Sequence, residues 1–323
     1  MKKNKLYIIL FSIILIFCNS CSKNNSFVSQ SFFALDTLCT IKVPEKNKEI
    51  LKELKQVVLS YDKNFNRYKQ NSLIFKLNKD KKIKNKELFK IISYYKKQNK
   101  KIKKYFKINM ASVIDLWGFN EGGVVPEKNK IEEKLGKIKN CSVLLKNNSI
   151  KIDGDCSLDL GGILKGYILD KVVRICNKNN MKRYVINLGG DVAVKGENVT
   201  VGIKDPDKNG ILTYIELNKS PIFIVTSGNY ERYFEKNDIR YHHILNPKTG
   251  FPARGVKSVT YLSTSGIRAD LYSTAIFAMG KSSKKFINNI EKDGILVIDS
   301  NNIRITKNLE ESQNEKGKIF YKY

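Results

Sequence analysis

The chain has 323 residues, and 59 Lys+Arg against 31 Asp+Glu give it a formal net charge of +28. Apolar residues at 41% and aromatics at 10% exclude an intrinsically disordered chain, and only 6 prolines exclude a proline-rich or collagen-like one. The 2 histidines are adjacent, His242-His243, which excludes a zinc site built from several histidines.

The N-terminus opens with the basic stretch Met1-Lys2-Lys3-Asn4-Lys5, and Leu6 to Phe17 is then apolar except for Tyr7 and Ser12. As a helix that run reaches about 18 Å, well short of a bilayer core of roughly 30 Å, so it predicts an export signal and not a permanent span. Ser20 precedes Cys21, and a polar Ser22-Lys23-Asn24-Asn25-Ser26 segment follows, a pattern that resembles a bacterial lipoprotein signal with Cys21 lipidated. The expected division is a signal peptide at 1–20, a tether at 21–31 and one domain at 32–323. The expected location is outside the cytoplasm, held by lipid to the outer face of the cell (inner) membrane. Export argues against a nucleic-acid role, and the lysines form no stripe with interleaved aromatics. Cys39, Cys141, Cys156 and Cys176 remain inside the domain, and the sequence leaves their pairing open.

Apolar spacing predicts helices over 49–61 and 87–106. Val143-Leu144-Leu145 and Ile150-Lys151-Ile152 flank Asn147-Asn148, a hairpin signal. A helix follows over 165–177, then strands over 184–188, 199–203, 211–217, 222–226, 240–245 and 257–262. A helix over 267–279 is expected to stop at Gly280. A helix over 284–292 and strands over 295–298 and 303–306 end the chain. The fold class is α+β, with mostly antiparallel sheets and packed helices.

No phosphate-binding loop, dinucleotide fingerprint or zinc-hydrolase signature is present. Four polar, mostly glycine-rich clusters end apolar runs instead. In Leu158 to Tyr167, the Gly161-Gly162 pair lets backbone approach a ligand, the following helix start offers N–H groups to an anion, and Lys165 adds a cation; a plain Asp-capped turn fits equally. Asn187 to Asp191 reads as a strand ending in a Gly-Gly turn. Thr226 to Tyr230 is followed by His242-His243-Ile244 and an Asn-Pro-Lys-Thr-Gly turn, and a histidine there suits proton transfer. On a helix, Asp270 and Thr274 share a face, and with a nearby backbone carbonyl they form an all-oxygen set of the kind Mg²⁺ uses.

Together these motifs resemble the ApbE-type flavin transferases, also called the thiamine-biosynthesis lipoprotein family. The strongest pieces are LDLGGILKGYILD (158–170), YVINLGGDVAVKG (184–196), TSGNYERYFE (226–235), RYHHILNPKTGFPA (240–253) and ADLYSTAIFAMG (269–280). The resemblance implies a single T-fold-related domain that binds FAD in a cleft and transfers FMN from FAD to a threonine, releasing AMP. It implies Mg²⁺ on Gly162, Asp270 and Thr274, and His243 as the catalytic residue. FAD contacts are implied for Leu35, Tyr68, Ala111, Ser112, Trp117, Asp159, Lys165 and Ile244. Implied acceptors are exported or membrane flavoproteins, such as subunits of the sodium-pumping NADH:quinone oxidoreductase, Rnf-type complexes or related reductases. The same machinery with water as acceptor would be an FAD pyrophosphatase, and a flavin-binding lipoprotein without catalysis is the further alternative. Phe106-Lys107-Ile108-Asn109 departs from the family's usual Phe-Asp-Ile-Thr, and Asn246 replaces its usual Asp.

Overall fold

The computed structural model describes residues 26–197, 199–217, 221–300, 302–313 and 319–323. The expected signal peptide and Cys21 lie outside them. In chain order the elements are β1 (Phe27–Ala34), β2 (Thr37–Pro44), α1 (Ile50–Phe65), α2 (Leu73–Asp80), β3 (Lys82–Lys84), α3 (Lys86–Lys96), α4 (Lys100–Tyr105), α5 (Ala111–Leu116) and α6 (Lys128–Lys139). There follow β4 (Ser142–Lys146), β5 (Ser149–Asp153), α7 (Gly161–Lys178), β6 (Tyr184–Leu188), β7 (Asp191–Lys195), β8 (Val199–Lys204), β9 (Ile211–Leu217) and β10 (Ile222–Gly228). The last are β11 (Tyr233–Lys236), β12 (Ile239–His242), β13 (Ser258–Ser263), α8 (Gly266–Met279), α9 (Ser283–Ile287), β14 (Gly294–Ile298), β15 (Ile303–Ile305), β16 (Glu310–Gln313) and β17 (Ile319–Lys322).

An eight-stranded sheet in the order β1-β2-β6-β7-β10-β13-β14-β15 forms the middle layer, and every pairing in it is antiparallel. One face packs on α7 and α8 through residues such as Tyr184, Ile186 and Phe223, and the other packs on the β16-β17-β9-β8 sheet through Val185, Val194 and Ile224. Both faces are therefore covered. That is why the central strands read as continuous apolar runs, and β13 and β14 are buried at every residue.

Helices α7 and α8 run antiparallel in a register set by glycine. A Cβ on Gly166 would lie 2.1 Å from the Gly266 carbonyl oxygen, and one on Gly266 would lie 2.4 Å from the Gly166 oxygen. The backbones touch there because neither residue carries a side chain. One turn away, Gly162 faces Thr274, with room for a Cβ only 3.0 Å from the threonine Oγ1. In the other direction the Asp170 carboxylate accepts the N–H groups of Gly266 (2.8 Å) and Ile267 (2.9 Å), so a side chain of α7 caps the start of α8. Gly280, with φ +57°, ends α8 as expected.

The structure corrects several boundaries. Strand β1 begins at Phe27, so residues 27–31 belong to the domain and not to the tether. The helix expected over 87–106 is two helices, because Asn99 accepts the Ile102 N–H and starts a new one. The helix expected from 165 begins at Gly161, which puts Lys165 within it, and β7 is added after the Gly-Gly turn.

Gly166→Ala should lower unfolding stability by about 1–3 kcal/mol, the usual cost of overpacking. Gly136→Ala, at an open helical position, should be neutral or stabilising by up to about 1 kcal/mol. Urea denaturation of the two variants checks this, and equal effects would remove the crossing argument.

Candidate functional site

The strands of the middle sheet end at two poles. One pole carries the β1–β2 turn, the β6–β7 turn at Gly189-Gly190, the end of β10 and the start of α7. Leu35 and Asp36 both sit at positive φ (56° and 58°), unfavourable for non-glycine residues, so their surroundings must hold them. Leu35 is buried, and Asp36 pairs with Arg232 at 3.5 Å. Gly189 packs against Thr37, which joins the two turns.

Oxygen atoms converge behind these turns. Within α7, Gly162 has non-helical backbone angles (φ −96°, ψ 25°). The Gly166 N–H, which in a regular helix would bond the Gly162 carbonyl, donates to Asp270 Oδ2 at 2.9 Å. The kinked Gly162 itself lies beside Thr274. Thr274 Oγ1 lies 3.2 Å from Ser227 Oγ, which is 2.9 Å from Ser273 Oγ. Among the described residues no group of three or more His, Cys, Asp or Glu side chains forms a metal cage. A carboxylate (Asp270), a hydroxyl (Thr274) and the backbone carbonyl of the kinked Gly162 are the oxygen types that a hard divalent cation takes while keeping positions for phosphate oxygens.

Charge at this pole is unbalanced. Asp270 is 3% exposed and Asp191 1%, and Lys165 Nζ lies 3.0 Å from Asp191 Oδ2. Burial, reinforced by Asp191 and opposed by Lys165, pushes the Asp270 carboxyl up to about 7. Burial also raises Asp191, against the pull of Lys165. Burial alone would lower Lys165, but Asp191, Asp270 and Glu231 outweigh it and raise its affinity for a proton. Two buried carboxylates facing one ammonium is a strained arrangement that an added cation relieves. Glu231, half-buried, is itself pushed up to about 7, mainly by burial.

The two histidines have different tasks. His243 is half-buried; its Nδ1 lies 3.2 Å from the Arg232 carbonyl oxygen. Its backbone N–H also donates to that oxygen at 3.0 Å. Nδ1 must carry the proton to donate, so Nε2 is left as an acceptor. Desolvation first, then the Arg232 charge, hold His243 below the ordinary histidine range, so the ring is neutral at pH 7 and the unperturbed value near 6.5 does not apply. His242 is 2% exposed, with Nε2 2.8 Å from the Ala253 oxygen and its ring edge-on to Phe277 at 5.2 Å. It is a core residue.

A second polar cluster is organised by Arg67, which no motif in the sequence marks. Its guanidinium donates to Asp159 Oδ2 (2.5 Å), to Asp115 (3.0 and 2.6 Å) and to the Tyr68 hydroxyl (2.5 Å), and stacks 4.1 Å from the Tyr68 ring centroid. Asp159 Oδ1 also accepts the Gly161 N–H at 2.7 Å, so both oxygens are engaged and the residue fixes the start of α7. Tyr68 is half-exposed and available to a planar ligand. Ser112 is half-buried on the Asp115 helix, and Ala111 is fully buried.

Besides Leu35 and Ala111, two further expected flavin contacts are buried. Trp117 is fully buried, donates its indole N–H to the Gly250 oxygen at 3.0 Å and packs on Phe119, Tyr241 and Phe251. Ile244 is 6% exposed. Both hold the 244–250 turn from behind. A disulfide joins Cys141 to Cys156, just before Leu158, while Cys39 and Cys176 are buried thiols pushed up to about 12 by desolvation.

An antiparallel sheet backed by two close-crossed helices, with an oxygen cluster at their glycine contact, defines an α+β ligand-binding domain. The ApbE family model matches residues 35–298, and the chain belongs to the ApbE family. It is 31% identical over 291 residues to the FAD:protein FMN transferase of Buchnera aphidicola from Schizaphis graminum, covering 83% of this chain and 84% of that one. It is 35% identical over 183 residues to that of Klebsiella pneumoniae, a match spanning 54% of this chain and little more than half (57%) of the relative. The crystal structure of the ApbE protein of Thermotoga maritima superimposes with a TM-score of 0.81 at 29% identity, covering 87% of this chain and 97% of that one.

His242→Ala should cost about 2–4 kcal/mol of stability, from a cavity against Phe277 and a stranded Ala253 carbonyl. His243→Ala should stay within about 1 kcal/mol of the parent. Thermal and urea unfolding compare them, and a smaller loss for His242→Ala would reverse the assignment.

Proposed function

We propose that the protein is an FAD:protein FMN transferase, carrying FMN from FAD to a threonine of an exported or membrane flavoprotein. The observation that carries the reading is the α7–α8 register, which sets Gly162, Asp270 and Thr274 beside Lys165 at the pole that holds His243. The names of the relatives support it. Tyr68 and Leu35 would take the flavin. Lys165 and the start of α7 would meet the pyrophosphate. The acceptor hydroxyl forms a bond to the FMN-side phosphorus, the P–O bond to the AMP phosphate breaks, and AMP leaves. The hydroxyl proton passes to His243 Nε2, which the Arg232 carbonyl orients through Nδ1. Gly162, Asp270 and Thr274 would hold Mg²⁺, which when bound neutralises phosphate charge.

Membrane anchoring through lipid on Cys21, and acceptors among the sodium-pumping NADH:quinone oxidoreductase, Rnf-type or related reductase subunits, belong to the same proposal. Water in place of threonine would make the protein an FAD pyrophosphatase. With FAD, Mg²⁺ and a threonine-bearing acceptor protein, a transferase yields an FMN-labelled protein and AMP; free FMN alone or intact FAD would overturn the reading.

One observation favours a second base. Burial near Lys165 and Asp191 pushes the Glu231 carboxyl up to about 7, whereas burial holds the His243 imidazole below the ordinary histidine range. With His243 as base, the rate should show no loss between pH 7 and pH 5.5 from this group, and His243→Asn should lower the rate about 10²–10⁴-fold. With Glu231 as base, the rate should rise through about pH 7, and Glu231→Gln should abolish that inflection. The two pH–rate profiles separate the cases.

The metal assignment has a readout besides turnover. An acid whose folded pKa lies above its unfolded one loses native-state stability as pH rises, here between about 4 and about 7. Asp270→Asn should therefore gain on the parent across that window without divalent cation. Mg²⁺ at pH 8 should raise the melting temperature of the parent and not of the variant; equal Mg²⁺ responses would remove Asp270 from the metal site.

A further inference from the structure

The pole opposite the cleft is basic and grooved. Helix α7 runs from one pole to the other, about 27 Å for its 18 residues. At its far end lies an open groove of about 800 Å³, lined by Lys90, Tyr94, Lys171, Arg174 and Lys178, and by Ser265 at the start of α8. Arg174 and Lys178 are four residues apart on one exposed helix face, and Lys182 follows just beyond. Among the described residues no carboxylate lies within 4 Å of these three cations. Of the acids nearby, Asp170, which also lines the groove, caps α8, Glu87 takes Lys171, Tyr61 and Tyr167, and Asp293 pairs with Arg268, while Glu53 acts from farther off on Cys176.

The same pole is where the chain leaves toward its N-terminal apolar run. Strand β1 starts there, with Phe27 opposite Pro44, and the Phe27 ring lies under Lys42 (5.5 Å) and Arg183 (4.8 Å). From Cys21 to Ser26 the chain can reach at most about 18 Å. A membrane holding Cys21 would therefore lie close to this pole and not to the cleft.

We propose that the groove and the Arg174-Lys178-Lys182 rim form a docking site for anionic phospholipid headgroups, which fixes the domain upright with its cleft facing away from the bilayer. Lysine and arginine near an anionic leaflet gain from its negative surface potential, and a groove between helices suits headgroup phosphates. The orientation rests on the anchoring proposed above. It implies that the acceptor threonine must be presented about 27 Å, roughly one α7 length, from the docked face.

The test uses the full chain, purified in detergent and reconstituted with vesicles of phosphatidylcholine alone or of phosphatidylcholine with phosphatidylglycerol. Flotation with the neutral vesicles reads the N-terminal anchor; hydrogen exchange of residues 171–183 and 264–268 reads the docking. We expect exchange there to slow at least about threefold on the anionic vesicles only, and the effect to vanish in 0.5 M salt. Arg174→Glu/Lys178→Glu/Lys182→Glu should lose this protection while still floating and keeping FMN transfer to a soluble acceptor. A chain that fails to float on neutral vesicles but is protected on anionic ones would end the anchoring proposal and leave the docking one standing. Equal protection on both vesicle types, no protection on either, or the same protection from soluble glycerophosphate would overturn the lipid site.

Discussion

Gly166 and Gly266 let α7 and α8 touch backbone to backbone, and the candidate site is a consequence of that contact. With a side chain at either position the helices would separate, and Asp270 could not reach the Gly166 N–H. That hydrogen bond takes the donor a regular helix would direct to the Gly162 carbonyl, and the kink at Gly162 turns the same segment beside Thr274. Stepping by four residues in each direction, the contact sets the Asp170 cap at one end and the oxygen cluster at the other.

Electrostatics then makes the cluster chemically useful. Asp191 and Asp270 lie buried around Lys165, and neither carboxylate is fully compensated. The Arg67 cluster also sets one cation against two carboxylates, Asp159 and Asp115, but there the Asp115 side chain is half-exposed to water and Arg67 donates to both acids and to Tyr68.

Much of this was legible in the sequence. The α+β class, the central strands, the Gly280 stop and the Asp270/Thr274 helix face follow from period, turn residues and spacing. Arg67 was not legible, because its partners are 48 and 92 residues away and no local pattern marks them. The family resemblance implies a flavin contact for Trp117, yet its environment, the Gly250 carbonyl and an aromatic cluster, arises only on folding. His242 and His243 look alike in sequence; Phe277 and the Ala253 carbonyl on one side, and Arg232 on the other, separate them. The apolar spacing that predicts one helix over 87–106 does not mark the break, which the Asn99 side chain makes by capping the Ile102 N–H.

In the proposed function the α7–α8 register would build a cation site from Gly162, Asp270 and Thr274. Thr274→Val keeps the shape of the side chain and removes its oxygen. Mn²⁺ binding in the presence of FAD, followed by electron paramagnetic resonance, tests the claim directly. The account predicts at least about tenfold weaker Mn²⁺ binding in Thr274→Val with a nearly unchanged melting temperature. Parent-like Mn²⁺ affinity in that variant would contradict it.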